Sequence, residues 1–422
     1  MPRGSPNCWK KTDKNKVVTC GGILGERKMD VKYHSYIIVP LKFNEKVTPD
    51  LESMVIDSMD FTENVKELFK AGAPSQMCWT YQCPPIVEGD CYIYREDLRF
   101  NVTDSYLFVF KTKVAFLALG VAYDAIETLQ QMRNPGYNET TAIYFDAAGQ
   151  GFDFEGEIEG YCRKLNLERF FDNRASFFLD AFTVTIGLTE TYFESLDILK
   201  KYTFNLHQMV EITSDMEDQS EEDVRYVFAV KIKEKNAYRW GACVSSQTLS
   251  YMFADETMDM AAHREEQTRD ILPIAILALY EKYTCLRFGQ LILSSDKKQT
   301  QKTKELMLKF KAYGTVNVAE FSRWYNVKKV YANLLEVNDI HEAIDEVEYK
   351  LNIISESQKE QEKERSDRVM NIITLFGIVS ILASVLSIVQ ILSDGNPAIW
   401  ISTALTTVVL TLAMVLTIRI HK

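Results

Sequence analysis

Two apolar runs near the C-terminal end constrain this 422-residue chain more than any other feature of its sequence. Residues 369–392 and 398–418 contain no Asp, Glu, Lys or Arg. A helix needs about 20 apolar residues to cross the hydrocarbon core of a bilayer, where its backbone groups must be satisfied internally. The sequence therefore predicts two transmembrane helices joined by a short loop. A third apolar stretch, 271–279, is too short to span and predicts a buried core helix.

Basic residues flank the two runs and predict their orientation. Arg365 and Arg368 precede the first run, Arg419 and Lys422 follow the second, and the loop at 393–397 carries no Lys or Arg. Basic residues favour the cytoplasmic side of a membrane. We therefore expect a multi-pass protein of the cell inner membrane with both termini in the cytoplasm.

Composition and local patterns predict an α+β fold for the remainder. The chain is 46% hydrophobic and 25% charged, which is typical of globular protein. Strand patterns occur at 32–43 and in a hairpin at 105–110 and 114–121, and a helix is predicted at 49–71. The predicted parts are a disordered leader at 1–30, a cytoplasmic α/β domain at 31–254, a cytoplasmic helical section at 255–336, a long stalk helix with the first span at 337–392, and the second span at 398–418.

An apolar seam begins before the first run and continues into it. Spacings of three and four, typical of a helix packed along one face, separate its members: Val337, Ile340, Ile344, Val347, Leu351 and Ile354. The same phase reappears at Ile372 and beyond. One uninterrupted helix, capped by Asn338 or Asp339, would be roughly 80 Å long. Such a helix either links the cytoplasmic domain mechanically to the membrane or is a passive stalk.

A second face of the first span consists of small and weakly polar residues. Its members are Thr374, Gly377, Ser380, Ser384 and Ser387. Small residues allow membrane helices to pack closely. The alternative is that hydroxyl groups line an aqueous path, which requires several subunits around an axis. Both explanations are open.

The order of these parts resembles the CorA-type magnesium channel superfamily. The resemblance is strongest over residues 321–422, where the chain reads Phe321-Ser-Arg-Trp-Tyr-Asn-Val-Lys-Lys-Val-Tyr331 and then Leu334-Leu-Glu-Val-Asn-Asp-Ile-His-Glu342 before the stalk. The resemblance implies a homopentamer with a funnel-shaped cytoplasmic part and a pore lined by the first span. Lipid bilayer and further copies of the chain are the implied partners.

The loop between the spans departs from the family pattern. Family transporters carry Gly-Met-Asn there, whereas this chain carries Asp394, Gly395 and Asn396 followed by Pro397. Magnesium gives up its water reluctantly and needs a well-shaped ring of oxygen ligands, so magnesium selectivity is not expected to be retained. Asp394 either forms an acidic ring that attracts cations or is a simple loop residue.

CorA-like proteins without Gly-Met-Asn resemble membrane effectors of antiviral defence found beside type III CRISPR systems. That resemblance implies a nucleotide second messenger such as SAM-AMP as the activating ligand, followed by membrane leakage. Two alternatives stay open: a divalent metal cation (Mg²⁺) transporter with a modified selectivity loop, and a membrane-tethered binding domain without a pore.

Several side chains are candidates for ligand contacts. Aromatic and basic residues that can stack on or pair with a nucleotide are Arg239, Trp240, Tyr251, Arg323 and Trp324. For the last two, helix packing is an equal explanation. Asp255, Glu256 and Asp259, with His263, are predicted on one helix face, where carboxylates would bind Mg²⁺ or another divalent cation between subunits.

Other functional classes find little support in the sequence. The five histidines are scattered and form no recognisable catalytic arrangement, so we do not expect an enzyme. A net charge of -11 argues against direct binding of nucleic acid, which requires a basic surface. The eight cysteines include no C-x-x-C pair and are expected to be structural thiols.

Overall fold

The computed structural model describes residues 30–87, 89–93, 98–133, 144–171, 177–212, 223–294, 297–392 and 397–420. The chain divides into two compact units. The first, here called the sheet unit, comprises Met1–Thr284 and Tyr313–His341. The second, here called the helical unit, comprises Cys285–Ala312 and Glu342–Lys422. The fold is therefore mixed α+β.

Fourteen strands among the described residues form one sheet. They are β1 (Lys32–Lys42), β2 (Glu52–Ser53), β3 (Cys78–Cys83), β4 (Asp90–Ile93), β5 (Leu98–Val102), β6 (Ser105–Phe110), β7 (Val114–Tyr123), β8 (Tyr144–Phe145), β9 (Gly151–Phe152), β10 (Glu168–Arg169), β11 (Phe182–Thr189), β12 (Arg225–Phe228), β13 (Trp240–Val244) and β14 (Thr248–Ala254). Their order is β12-β13-β14-β11-β1-β7-β5-β4-β8-β9, while β10 pairs with β1 and the chain of strands β2-β3-β6 joins at β7. Strands β11 and β14 are parallel.

Helices follow and cover the sheet, and then dominate the C-terminal part. They are α1 (Glu63–Phe69), α2 (Ile126–Arg133), α3 (Phe154–Lys164), α4 (Leu196–Gln208), α5 (Met260–Glu266), α6 (Leu272–Ser294), α7 (Lys297–Lys309), α8 (Val318–Phe321), α9 (Tyr325–Val337), α10 (Ile340–Leu392) and α11 (Pro397–Ile420). A π-helical turn, Gln267–Ile271, lies between α5 and α6.

Strand β1 is the central strand of the sheet unit, paired with β7 on one side and β11 on the other. Its residues after Lys32 are all buried. Burial on both faces explains its nearly continuous apolar sequence. The strand predicted at 32–43 is confirmed, and so is the predicted hairpin, since β6 and β7 pair antiparallel with Tyr106 opposite Ala118.

The predicted helix at 49–71 is wrong over most of its length, because only Glu63–Phe69 is helical. Strand β2 pairs with β3 instead, through Glu52 opposite Gln82. The apolar side chain of Val55, placed on the predicted buried face, is 75% exposed. Strand pairing and the polar contacts of Ser58 outweigh the apparent helical period in this segment.

The stretch at 271–279 is confirmed as a buried core helix. It forms the start of α6, whose residues from Leu272 to Tyr280 include eight that are buried and apolar, namely Leu272, Ile274, Ala275, Ile276, Leu277, Ala278, Leu279 and Tyr280. Tyr280 stacks on Phe110 of the sheet with ring centroids 4.1 Å apart. Helix α6 thus closes one face of the sheet unit.

A buried polar network connects β1 to the π-helical turn. The ring of His34 is held by Gln267 Oε1 at 2.6 Å from Nδ1 and by Thr103 Oγ1 at 2.9 Å from Nε2. Because an amide oxygen only accepts, Nδ1 carries the proton and the hydroxyl of Thr103 donates to Nε2. Burial lowers the pKa of His34 to about 4, so the imidazole is neutral at pH 7.

In the helical unit, α7 and α10 run antiparallel. Gln358 Nε2 donates to Thr300 Oγ1 at 3.4 Å, and Lys311, just after α7, pairs with Glu348. The later position in the first segment thus contacts the earlier position in α10. The buried residues of α7 and of the segment that follows it recur at spacings of three and four, as do those of α10: Thr300, Thr303, Met307 and Phe310, and Ile344, Val347 and Leu351.

The long helix begins directly after Asp339, one of its two predicted caps, although the predicted stalk segment starts at Val337. Val337 ends α9, and Asn338 and Asp339 form a turn before α10 begins at Ile340. Asp339 has a φ of 49°, a left-handed conformation that interrupts the helix and that Asp tolerates better than most residues. From Ile340 onward the predicted seam is confirmed as the buried face, with Ile354 half-buried at its end.

A membrane-length helix and a polar cavity as candidate sites

Helix α10 is the one helix among the described residues that is long and apolar enough to cross a membrane. None of its most apolar window is buried. Large side chains such as Ile373, Phe376 and Ile381 are 60%, 70% and 65% exposed. Full burial of each such side chain is worth about 1.5–3 kcal/mol. This surface therefore requires a lipid or protein covering.

Helix α11 spans 24 residues, and its stretch Trp400–Val409 is apolar. Its role as a second span stays a prediction. The predicted pore-mouth residues Asp394, Gly395 and Asn396 lie outside the described residues, so their role also stays a prediction. The predicted disordered leader at 1–30 lies outside them too, apart from Asp30.

The small face of α10 is exposed along its whole length: Thr374, Gly377, Ser380, Ser384 and Ser387. The hydroxyls of three of these residues donate to carbonyl oxygens four residues earlier, at 2.8 Å from Met370, 2.9 Å from Ser380 and 3.0 Å from Ala383. Each hydroxyl oxygen keeps lone pairs with which it can accept from water or contact a cation. Lining of a pore by these residues stays a prediction.

The sheet unit contains a polar cavity of about 710 Å³, here called the Arg133 cavity. It lies where the C-terminal ends of α2 and α4 meet β12, the turn between β13 and β14, and the end of α9. Its lining includes Arg133, His207, Arg225, Thr248, Glu336 and Asp339. Its size is within the range of small-molecule sites, about 300–1,000 Å³.

Arg133 supplies a buried positive charge to this cavity. Its side chain is 7% exposed; Nη1 donates to Thr248 Oγ1 at 3.1 Å and Nη2 to the Ala181 carbonyl at 3.2 Å. No carboxylate among the described residues pairs with it. Burial lowers its pKa to about 10, so it stays charged at pH 7.

The neutral partners of Arg133 leave much of its desolvation cost uncompensated. Arg133 is the last residue of α2, and a cation at a helix C-terminus gains about 0.3–1 kcal/mol, or about 2 in favourable geometry. Removal of an ion from water costs several kcal/mol even after relaxation. An anionic group in the cavity would offset the difference.

Neutral and paired groups surround this charge. Nδ1 of His207 lies 3.3 Å from Ser250 Oγ, and burial, reinforced by the charge of Arg133, lowers the His207 pKa to about 4. Arg225 binds Glu336 with Nε and Nη2 at 3.1 and 3.0 Å from Oε1. The cavity therefore holds the charge of Arg133 on its inner wall and a neutral ion pair further along, and the carboxylates of Asp223 and Asp339 also line it.

The turn between β13 and β14 contributes hydroxyl groups. The Ser245 amide donates to the Thr248 carbonyl at 2.9 Å, and the Ser245 hydroxyl accepts from the amides of Gln247 and Thr248 at 3.4 and 3.3 Å. These bonds fix the turn. Ser245, Ser246 and Thr248 thus present polar groups on the same side as Arg133.

The cavity also touches the junction between α9 and α10. Glu336, Val337 and Asp339 line it, and Asp339 immediately precedes the first residue of α10. Asn338 holds the junction, since its Nδ2 donates to the Leu334 carbonyl at 2.8 Å and its Oδ1 accepts from Lys282 Nζ at 2.8 Å.

A buried carboxyl positions α9 beneath this junction. Oε1 of Glu281 accepts from the Tyr331 hydroxyl at 2.6 Å and from the Val316 amide at 3.1 Å. Burial raises the pKa of Glu281 to about 7, and the two hydrogen bonds oppose this shift. Tyr331 in turn stacks on Phe321, with centroids 4.0 Å apart.

The predicted aromatic and basic contacts occur as two separate groups. Trp240 and Tyr251 are neighbours, with ring centroids 5.7 Å apart, and Tyr251 is buried while Arg239 is exposed. The guanidinium of Arg323 lies 5.8 Å from the centre of the Trp324 ring, on an exposed surface. Both groups stay predictions as ligand contacts.

The acidic residues predicted on one helix face are not on a helix. Asp255 and Glu256 precede α5, and Asp259 caps it, accepting from the amides of Ala261 and Ala262 at 3.1 Å. Asp is a preferred N-cap residue, which explains its position. Asp255 accepts from His263 Nε2 at 3.1 Å, and Glu256 pairs with Lys235.

These pairings occupy the carboxylates locally. Within the described ranges, no three His, Cys, Asp or Glu residues form a group that could hold a metal ion. A divalent cation site shared between subunits stays a prediction.

Comparison with known proteins gives a distant alignment to a solved structure. No protein-family model matches this sequence, and no curated protein matches it. Among solved structures, the CorA magnesium transporter of Methanocaldococcus jannaschii aligns with 56% of this chain and 90% of its own, at 11% sequence identity and a TM-score of 0.19. A TM-score of that size carries no argument for a shared fold or function.

Proposed function

We propose that this chain is a homo-oligomeric, CorA-like membrane channel or membrane-disrupting effector whose permeability is controlled by a ligand bound to the sheet unit. The observation that carries the proposal is helix α10, a single helix of 53 residues. Its first half is charged on its exposed face, and its second half is uncharged and apolar. One continuous element therefore belongs to both an aqueous and an apolar environment.

The dimensions of α10 suit this role. Its uncharged part, 369–392, is roughly 36 Å long at 1.5 Å per residue. A bilayer core is about 30 Å thick, so the helix would cross it with some tilt. We propose that 398–418 returns across the same bilayer, with both termini in the cytoplasm beside the inner membrane.

A pore requires several copies of the chain, because one pair of helices has too little polar surface to enclose water. Closed cyclic assemblies are the usual solution, and the family resemblance suggests five subunits. In that arrangement the outward hydroxyl oxygens of Thr374, Ser384 and Ser387 would face the axis, where they could replace water around a passing cation.

The identity of the ligand is proposed from the family resemblance. It favours a nucleotide second messenger such as SAM-AMP and a role in antiviral defence beside type III CRISPR systems. The absence of Gly-Met-Asn favours this branch over the magnesium transporter.

Ion flux through liposomes that contain the full-length protein tests the proposal. We expect flux in the presence of the nucleotide and little without it. Ser384→Trp should block flux while leaving the oligomer intact, because a bulky side chain would fill the axis. Val379→Trp is the matched control, because Val379 is 42% exposed and lies five positions before Ser384, about 140° around the helix, so it should face lipid.

Three other outcomes would contradict the proposal. Flux that depends on Mg²⁺ and ignores nucleotide would favour the transporter. No flux under any condition would favour a membrane-tethered binding domain. Loss of assembly in Ser384→Trp, measured by light scattering, would make the small face a packing surface.

A further inference from the structure

We infer that the Arg133 cavity binds an organic phosphate of about nucleotide size, with the phosphate on Arg133 and the hydrogen-bond donors of the ligand toward Asp339. This inference rests on the proposed function, because it assigns a site and a chemical class to the controlling ligand. It draws on side chains that the sequence patterns did not single out.

Arg133 has more hydrogen-bond donors than its two protein partners use. A guanidinium has five N–H donors, and the hydrogen bonds of Arg133 to Thr248 and Ala181 each use one nitrogen. Planar groups of this kind bind phosphate oxygens through paired hydrogen bonds. The hydroxyls of Ser245 and Ser246 line the same cavity and would supply further donors.

Positive and negative charges lie on different walls of the cavity. His207 is neutral and Arg225 is neutralised by Glu336, so a phosphate beside Arg133 meets one free cation. Asp223 and Asp339 both line the cavity and are exposed, and Asp339 is the one beside α10. A carboxylate there disfavours a second phosphate but accepts hydrogen bonds from ribose hydroxyls or a base amine. A ligand that is anionic at one end and rich in donors at the other fits both walls.

Asp339 lines the cavity and also lies next to the start of α10. A ligand that touches Arg133 and Asp339 contacts the residue directly before α10. The left-handed backbone of Asp339 and the hydrogen bonds of Asn338 shape the turn directly before Ile340, the first residue of α10. Ligand binding would therefore act at the start of the helix that the proposed function places in the membrane.

Binding to the detergent-solubilised full-length protein tests this inference, with AMP, adenosine and inorganic phosphate as probes in isothermal titration calorimetry. We expect saturable binding of AMP, at least about tenfold weaker binding of adenosine, and weak binding of phosphate alone. Arg133→Met should weaken AMP binding by at least about tenfold, and Arg133→Lys, which keeps the charge, by less. Arg99→Met, at an exposed position in β5 that does not line the cavity, should leave AMP binding unchanged.

Thermal unfolding without ligand shows whether each variant is folded, and Arg133→Lys serves if Arg133→Met is not. Equal AMP affinity in wild type and Arg133→Met, loss of binding in Arg99→Met, or no saturable binding of AMP or phosphate by wild type would each overturn the inference. Because binding is measured without liposomes, its failure is separate from that of the proposed function. Nucleotide-dependent flux that is unchanged in Arg133→Met would refute the cavity as the ligand site and leave the channel proposal intact. Arg133-dependent binding of AMP without any flux would refute the channel proposal and leave the ligand site intact.

Discussion

At the scale of single residues, Glu281 shows how burial changes an acidic side chain. It is 2% exposed and is fixed by hydrogen bonds from Tyr331 and Val316 rather than by a cation. Burial raises its pKa from 4.5 to about 7. The protonated form is therefore favoured in the folded chain, whereas the unfolded chain ionises it near its ordinary pKa.

This difference predicts how stability depends on pH. Between pH 4.5 and about 7, Glu281 binds a proton in the folded chain but not in the unfolded chain, so its contribution to stability falls as pH rises. Glu281→Gln keeps the accepting oxygen and removes the ionisation. The free energy of unfolding of the variant relative to wild type should therefore rise with pH over this window, by about 3 kcal/mol at most.

Urea unfolding monitored by fluorescence at pH 5 and pH 7.5 measures the change. Glu320→Gln, at an exposed position, is the control and should show no such trend. His34 and His207 have lowered pKa values and act in the opposite sense, but their effects cancel when variant and wild type are compared. Parallel profiles for wild type and Glu281→Gln would refute the assignment.

At the scale of elements, the break between β5 and β6 links the sheet to the buried polar network. Both strands pair with β7, and the break at Thr103 lies opposite Gly120, whose carbonyl accepts from the Thr103 amide at 2.7 Å. A Cβ at Gly120 would lie 2.3 Å from Thr103 Oγ1 and 2.4 Å from the Asp104 carbonyl oxygen. Only glycine permits this approach, which also places the Thr103 hydroxyl on His34.

Gly120→Ala should therefore destabilise the protein by about 3 kcal/mol, because backbone as well as a side chain must move. Gly160→Ala in α3 is the matched control. A Cβ there meets no atom within 4 Å, and alanine should stabilise the helix by about 0.5–1 kcal/mol. Thermal unfolding compares the two. A neutral Gly120→Ala would mean that the strand break is not tightly held.

The sequence predicted those elements whose apolar period is strong and matches their burial. The strand β1, the β6–β7 hairpin, the buried start of α6 and the seam of α10 belong to this group. It failed at 49–71, where edge pairing of β2 replaced a helix, and at Asp259, which caps a helix instead of lying along it. Local polar contacts decided both outcomes, and they leave no periodic pattern.

The Arg133 cavity could not be predicted from sequence patterns either. Its side chains come from segments separated by up to about two hundred positions in the chain, from α2 to the end of α9. Their adjacency depends on the order β12-β13-β14-β11, in which a parallel pair follows an antiparallel one. The one local signal is that Arg133 stands directly before Asn134 and Pro135, a pair that is typical of a helix end.

At the scale of the whole molecule, the account depends on what covers the apolar half of α10. Ile372 and Val379 are 53% and 42% exposed, Leu386 on the same face is half-buried, and Lys359 is exposed within the charged part of the same helix. A bilayer around 369–392 covers the first three and leaves Lys359 in water. A soluble assembly would instead cover them with protein.

Spin-label accessibility along α10 tests this claim most directly. Labels are attached at Ile372→Cys, Val379→Cys, Leu386→Cys and Lys359→Cys in the full-length protein in liposomes, and the unsubstituted chain gives the background from its own cysteines. The first three positions lie opposite the small face of α10, so the account predicts that their labels are relaxed by oxygen and protected from a water-soluble nickel chelate, with the reverse at Lys359. Relaxation of all four labels by the nickel chelate to the same extent would contradict a membrane-spanning α10.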